Sequence, residues 1–322
     1  MRQFAKPTIV VSKCLEFDAC RYNGEMIPDV TIRNLQPFVT FIPVCPEVEI
    51  GLGTPRETIR IVEENGENRL LQPSTREDVT EKMEQFSNDF LQTISDVDGF
   101  ILKNRSPSCG TRDVKIYSGF EKAPAKGKGS GLFGGAVVKK FSHLPIEEEG
   151  RLSNFIIREH FFTRLFTIAY YKMIKHNKNM KDLVSFQSDN KYLFMAYNQV
   201  KQKELGRIIA NHKNEKIEVV FENYEKTLYE LFMRTPRYTS NVNVCEHIFG
   251  YFKTKLKKQE KDHFIELLQK YAEKKIPLSS LLTILKSWAI RFDEKYLLRQ
   301  TYFEPYPEAL VEISDSGKGR DY

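Results

Sequence analysis

Three of the five cysteines in this 322-residue chain stand just beyond short apolar runs. Cys14 follows TIVVSK (8–13), Cys45 follows FVTFIPV (38–44), and Cys109 comes one turn after GFILK (99–103), inside the polar stretch SPSCG. A buried structural thiol would sit within an apolar run, so Cys109 is placed to touch something else. Thiolates are soft donors that select zinc, copper(I) or iron–sulfur clusters. Three protein ligands also leave one metal position open, the condition for catalysis rather than structural support. There is no CxxC pair, and three unconnected turn cysteines would give the same spacing. Glu47, two residues after Cys45, is a candidate general base beside a metal-adjacent water, or a plain helix-start carboxylate. Ser106, three residues before Cys109, is a candidate donor or proton relay, or a turn hydroxyl. Cys20 reads as a spectator ahead of a fourth ligand or persulfide carrier. Cys245 in NVNVCEHIF continues an apolar helical face and reads as core, and His247 as a capping or surface histidine.

The elements around these residues differ between the two parts of the chain. The three apolar runs are dense in Val, Ile and Phe and too short for helices, which predicts strands. EDVTEKMEQFSNDFLQTISDV (77–97) repeats Val79, Met83, Phe86, Phe90 and Ile94 at helical spacing. Asn65-Gly66 is a favoured hairpin turn between two short runs. Strand, helix and strand in this order predict a mostly parallel α/β sheet over 1–145. In such a sheet the carboxyl ends of the strands share one edge, where ligands bind, so the three cysteines are expected to converge there. Between 122 and 150, glycines cluster before a helix from about Leu132, and read as a flexible turn ahead of a phosphate cradle. From IEEEGRLSNF onward the strand signal ends. Stripes such as Ile157, Phe161, Leu165 and Ile168 predict an all-α domain over 146–312, and 313–322 reads as a frayed tail.

With 41% apolar and 12% aromatic residues the chain can bury real cores. It has no apolar span of roughly 18 residues, and Lys13 interrupts the apolar start, so no membrane segment or signal peptide is expected. The reading is a cytoplasmic protein, whose thiols stay reduced and are not a disulfide framework. Charge is divided unevenly. Residues 1–150 carry 19 Lys and Arg against 22 Asp and Glu, while the rest carry 30 against 21. The basic part suits an anionic partner. Its excess concentrates at Arg234, Arg237, Lys253, Lys255, Lys257 and Lys258, interleaved with Tyr238, Tyr251 and Phe252. That mixture suits RNA phosphates and unstacked bases, or equally a solvated helical face over core aromatics.

VSKCLEFDACRYNG, PVCPEVEIGLGTPRE and LKNRSPSCGTRDVKIY resemble the three signature blocks of the thiouracil desulfidase family, formerly a domain of unknown function. The stretch 147–310 resembles the helical domain often fused to it. In CLEFDAC, Glu16-Phe17 stands where family members usually read Leu-Gly, and FQSDNKYLFMA lacks a histidine common there. The resemblance implies a four-iron four-sulfur cluster held by Cys14, Cys45 and Cys109, with Glu47 as catalytic acid/base and Ser106 assisting. It further implies a non-redox desulfidase, and the two-domain fusion resembles enzymes that convert 4-thiouridine in transfer RNA to uridine. Two other readings stay open: a desulfidase of free thiouracil-type molecules, and a non-catalytic iron–sulfur or zinc sensor whose helical domain binds nucleic acid or protein.

Overall fold

A computed structural model of the chain describes residues 2–94, 96–119 and 124–312. The chain divides into two units, one running up to Ala169 and taking in the segment from Pro307, the other spanning Tyr170 to Tyr306. The tail expected at 313–322 lies outside the described residues.

In the first unit the predicted strands form where the β-branched runs are. β1 (Thr8–Ser12) is followed by α1 (Val30–Leu35), β2 (Thr40–Val44) and the one-turn α2 (Pro46–Glu49). A hairpin of β3 (Arg60–Glu64) and β4 (Glu67–Gln72) turns at Asn65-Gly66, both at positive φ, as an NG hairpin requires. The short β5 (Glu77–Asp78) leads into α3 (Thr80–Thr93), the expected helix with trimmed ends. Next come β6 (Gly99–Leu102), β7 (Val114–Tyr117), β8 (Ala125–Gly129), α4 (Leu132–Phe141) and β9 (Ile146–Glu148).

These strands make two sheets. The first has the order β2-β1-β6-β9 with every pairing parallel. Its central residues Ile9, Val10, Val11, Phe100, Ile101 and Leu102 are fully buried, as expected for a parallel sheet covered on both faces. Each contributes roughly 1.5–3 kcal/mol by leaving water. The second sheet, β5-β4-β3-β7-β8, is mixed, and only its hairpin was legible from the sequence.

The structure corrects two expectations. The strand signal does not end before IEEEG: Ile146–Glu148 is the fourth strand of the parallel sheet, although Glu147 and Glu148 are buried carboxylates. The glycine run is neither a flexible turn nor a phosphate cradle. Its first part is strand β8, and the amides that open α4 donate to the loop carrying Cys109: Gly131 N–H to Gly110 O at 2.7 Å, Gly134 N–H to Ser108 O at 2.9 Å, and Leu132 N–H to Pro107 O at 3.2 Å. Those amides have no partner within their own helix, so the loop carbonyls complete them.

α5 (Phe155–Asn177) carries residues of both units. The second unit continues with α6 (Met180–Asp189), α7 (Lys191–Tyr197), α8 (Gln199–Ala210), α9 (Ile217–Leu231), α10 (Tyr238–Phe249), α11 (Lys258–Ala272), α12 (Leu278–Arg291) and α13 (Lys295–Leu298). Its core is aromatic, with Tyr171 stacked on Tyr224 and Phe264 against Trp288. Cys245 is fully buried in that core, as its helical stripe predicts. Among the described residues, no helix is long and apolar enough to cross a membrane.

The contact of α4 with the Cys109 loop leaves no room for a side chain. A Cβ on Gly134 would lie 2.4 Å from the carbonyl oxygens of both Cys109 and Gly110. Gly134→Ala should therefore cost about 1–3 kcal/mol. Gly206, inside α8 with open space around it, should instead gain up to about 1 kcal/mol on change to Ala. Urea unfolding of the two variants should move in opposite directions, and an unchanged midpoint for Gly134→Ala would remove the steric argument.

Candidate functional site

The register of the parallel sheet pairs Ser12, the last residue of β1, with Val44, the last of β2, and sets Val11 beside Ile101 of β6. The loops leaving these three strands therefore start side by side. They surround a cavity of about 380 Å³ lined by Cys14, Cys45 and Cys109, together with Cys20, Glu47 and Ser106. Every candidate site residue read from the first part of the sequence reaches this cavity. Cys20 is there too, buried, with its carbonyl 3.8 Å from Cys45 Sγ.

Three of the four thiols at the cavity are buried. Burial first, then the neighbouring Cys45, pushes the Cys14 thiol up to about 12, with Lys103 pulling the other way. Burial and Cys45 likewise push Cys20 up to about 12. Burial drives Cys109 well above an ordinary thiol, against a hydrogen bond from Ser12 that lowers it. A soft metal binds thiolates, so loading one here must displace the thiol protons.

Glu47 is held at both oxygens. Arg56 donates from Nε at 2.8 Å and from Nη2 at 2.7 Å, both to Oε2, and Ser108 Oγ donates to Oε1 at 2.5 Å. Both side chains of the pair are largely buried, and Arg56 Nη1 spends its remaining capacity on the carbonyls of Cys20 (2.9 Å) and Gly53 (2.8 Å). Ser108 Oγ lies 2.9 Å from Ser106 Oγ, so Glu47, Ser108 and Ser106 form a continuous hydrogen-bonded line. Ser106 Oγ also accepts from the Cys109 amide at 3.1 Å and the Ser108 amide at 3.3 Å, which folds the turn back on itself.

Sequence reasoning missed Arg56 and Ser108. Arg56 lies in GTPRE, but it returns to Glu47 only because Gly51 and Gly53 take positive φ, which no periodicity announces. Ser108 had a usable signal, since residues flanking a proline in an SPS turn can share a side.

The acidic run at the end of β9 also serves the site. Glu148 Oε1 accepts from the Thr111 amide (2.7 Å), the Thr111 hydroxyl (3.0 Å) and the Arg112 amide (3.2 Å), tying down the chain just after Cys109. Glu149 accepts from the Asn104 amide at 2.7 Å and pairs with Lys103, whose own amide donates to Ser12 Oγ at 2.9 Å. The unusual Glu16 is accommodated: at φ 71° its carboxylate takes the Asp29 amide and pairs with Arg33 at 2.9 Å, while Phe17 packs edge-on against Phe41.

In the second unit, Arg234, Arg237, Lys253, Lys255, Lys257 and Lys258 lie at the surface, as do Tyr238 and Tyr251. Phe252 does not: it is fully buried against Trp288 and belongs to the core. Lys255 pairs with Glu294.

Residues 9–149 match the family 2-thiouracil desulfurase, and residues 191–307 match a family described as a protein of unknown function, DUF1722. The uncharacterized protein YbbK of Bacillus subtilis (strain 168) is 36% identical over 118 residues, which cover 34% of this chain and 77% of that protein. The uncharacterized protein YbgA of Escherichia coli (strain K12) is 23% identical over 156 residues, 48% of this chain and 92% of that protein. Among solved structures, the [4Fe-4S]-dependent thiouracil desulfidase TudS is 25% identical, covering 46% of this chain and 93% of that chain with a TM-score of 0.37.

Removing Glu148 should free the segment that anchors Cys109. Glu148→Ala leaves two backbone amides without their acceptor and should cost about 1–3 kcal/mol per buried donor left unpaired. Denaturant unfolding should show a lower midpoint at unchanged slope. A midpoint equal to that of the parent protein would mean the loop is held by other contacts.

Proposed function

The chain belongs to the 2-thiouracil desulfurase family, and from that membership we propose that it is a non-redox iron–sulfur desulfidase that removes sulfur from a thiolated uracil, its substrate being 4-thiouridine in transfer RNA. The observation that carries this reading is the convergence of three thiols and one doubly held carboxylate in a single cavity of about 380 Å³, large enough for a small ligand.

The donor set fits the cofactor. Cys14, Cys45 and Cys109 are soft ligands from three neighbouring loops and would hold a four-iron four-sulfur cluster. Among the described residues, no three His, Cys, Asp or Glu side chains close around a point for a single ion. Once bound, such a cluster supplies a soft Lewis acid with an open position for sulfur.

The chain's own residues supply the proton chemistry. Glu47, fixed by Arg56 on one oxygen, can take a proton at Oε1 from a water that adds to the thiocarbonyl carbon. Ser108 donates its hydroxyl proton to that oxygen and accepts from Ser106, so the hydrogen-bonded line runs toward the carboxylate and orients Oε1. Overall, thiocarbonyl and water become carbonyl and hydrogen sulfide, so no electron is gained or lost. For the RNA part, the support is the surface cationic set on the helical unit with Tyr238 and Tyr251 beside it in sequence. A base within folded RNA must also be extracted to reach a buried pocket, which gives a gripping domain a physical purpose.

The direct test is to incubate anaerobically reconstituted protein with thiolated transfer RNA and follow loss of the thiocarbonyl absorbance. Cys14→Ser, Cys45→Ser and Cys109→Ser should each strip iron, whereas Cys20→Ser and Cys245→Ser should keep it. Glu47→Gln should keep iron and lose turnover by roughly 100-fold or more. Full iron in Cys109→Ser, or undiminished turnover in Glu47→Gln, would overturn the assignment of that residue.

The RNA half is tested separately. Affinity for transfer RNA should fall with salt at a log–log slope of about −0.7 to −0.9 per phosphate neutralised. Charge reversal at Lys253, Lys257 and Lys258 should flatten the slope without touching the Lys255–Glu294 pair. An unaltered slope would place the RNA contacts elsewhere.

A further inference from the structure

Four thiols line the cavity, and the cluster reading uses three of them. The fourth, Cys20, differs from an ordinary core cysteine: Cys245 is packed among the aromatic side chains of the helical unit, whereas Cys20 lines the cavity beside Cys45. Cys45 Sγ lies 3.8 Å from the Cys20 carbonyl oxygen, and the two side chains are themselves in hydrogen-bonding contact. Cys14 acts on Cys20 through charge, and more weakly than Cys45 does. Cys109 is engaged with hydroxyls, those of Ser12 and, at 3.9 Å, Ser108. Of the four thiols, Cys20 and Cys45 are the pair in contact.

The contact is held in place by the chain around it. Arg56 donates from Nη1 to the Cys20 carbonyl at 2.9 Å and from its backbone amide to the Tyr22 carbonyl at 2.8 Å. The arginine that fixes Glu47, two residues after Cys45, therefore also clamps the backbone at and just beyond Cys20. A disulfide brings its sulfurs to about 2 Å, and a pair already in contact has little distance left to close. Cys20 is 4% exposed and Cys45 8%, which keeps large reagents away. The cavity of about 380 Å³ that both residues line still admits a molecule as small as hydrogen peroxide.

We propose that Cys20 and Cys45 are an oxidative modification site: hydrogen peroxide joins them as a disulfide that withdraws Cys45 from metal binding until a dithiol releases it. Resting on the reading of Cys45 as a cluster ligand, the pair adds regulation to that site. A ligand cysteine is a thiolate, and the thiolate is the form that peroxide attacks. Cys45 Sγ bonds to one peroxide oxygen, the O–O bond breaks, and hydroxide leaves. Cys20 Sγ then displaces the hydroxyl of the resulting sulfenic acid, and that hydroxyl departs as water with the Cys20 proton. The sulfurs lose the electron pair that peroxide gains. Cys45 thereby stops at a state that thiol exchange reverses, instead of climbing to the sulfinic and sulfonic acids that it does not.

The test maps the thiols and needs no turnover. The full chain is reconstituted anaerobically, its iron is measured, and it is treated with hydrogen peroxide. Free thiols are then alkylated, and the chain is digested without reductant for mass spectrometry. Cleavage before Asp18 separates Cys14 from Cys20, so the linked residue is read directly. The parent protein should yield a Cys20–Cys45 link, which dithiothreitol removes. Cys20→Ser should yield no link and should carry Cys45 as sulfinic or sulfonic acid. Iron reloading gives a second readout: after peroxide and then dithiothreitol the parent should recover nearly its starting iron, whereas Cys20→Ser should lose most of it. Circular dichroism checks that Cys20→Ser folds, and the map of the parent chain decides the link without that variant. Cys45 linked to Cys14 or Cys109, or oxidised beyond the sulfenic state as readily in the parent as in Cys20→Ser, overturns the proposal. Iron uptake without any link also overturns it and leaves the cluster reading intact. A Cys20–Cys45 link in a parent chain that takes up no iron has the opposite meaning: the cluster reading fails and the oxidisable pair stands.

Discussion

The parallel pairing of β1 with β2 on one side and β6 on the other is the constraint on which everything else rests. Three strands in that register end on one edge, and the loops that leave them bring Cys14, Cys45 and Cys109, 31 and 64 positions apart along the chain, to one cavity. Parallel strands cannot be joined by tight turns, so the chain between them must cross over the sheet. Those crossovers cover both faces, which is why Ile9 to Val11 and Phe100 to Leu102 are buried on either side and the edge is firm enough to aim side chains.

A firm edge still leaves loops to be fixed, and the chain fixes each differently. The Cys109 turn is braced from below by the first amides of α4 and from beyond by the Glu148 carboxylate, so carbonyls and amides of one short segment are satisfied by two other elements. Glu47 is fixed by Arg56, itself anchored to the carbonyls of Cys20 and Gly53, so a loop, a helix start and the Cys20 segment are locked together. Where the partners are largely buried, as Arg56 and Glu47 are, such polar contacts are stronger than at the surface, and leaving any of them unmade is correspondingly costly.

What the sequence made legible was the part governed by burial. Apolar runs marked β1, β2 and β6, the three-and-four spacing of Val79 to Ile94 marked α3, and Asn65-Gly66 marked the hairpin. The site residues came with them because they trail those runs. The part that stayed hidden was governed by polar satisfaction: β9 carries no strand signal in the sequence, yet Glu147 and Glu148 are buried because arginine and backbone amides complete them. Arg56 depends on two left-handed glycines, and α4's amides on a loop 21 to 26 residues away in sequence. For Phe252 the core reading holds and for Tyr251 the surface one, a choice left open because a 3.6-residue pattern does not say which aromatic of an adjacent pair faces in.

Backbone strain further divides the site. Glu16 and Arg105 both take left-handed backbone beside cysteine loops, at φ 71° and 56°, and neither is a glycine. At Glu16 the cost is offset on the spot, because the carboxylate caps the Asp29 amide at the start of α1 and pairs with Arg33. At Arg105 the side chain contributes no such bond, so the conformation is maintained by the residues after it: the Ser106 hydroxyl accepting two amides, the Gly110 amide donating to Ser106 O at 2.9 Å, and α4 closing on the carbonyls beyond. The rigid turn that aims Cys109 thus also holds a guanidinium at the cavity without using it.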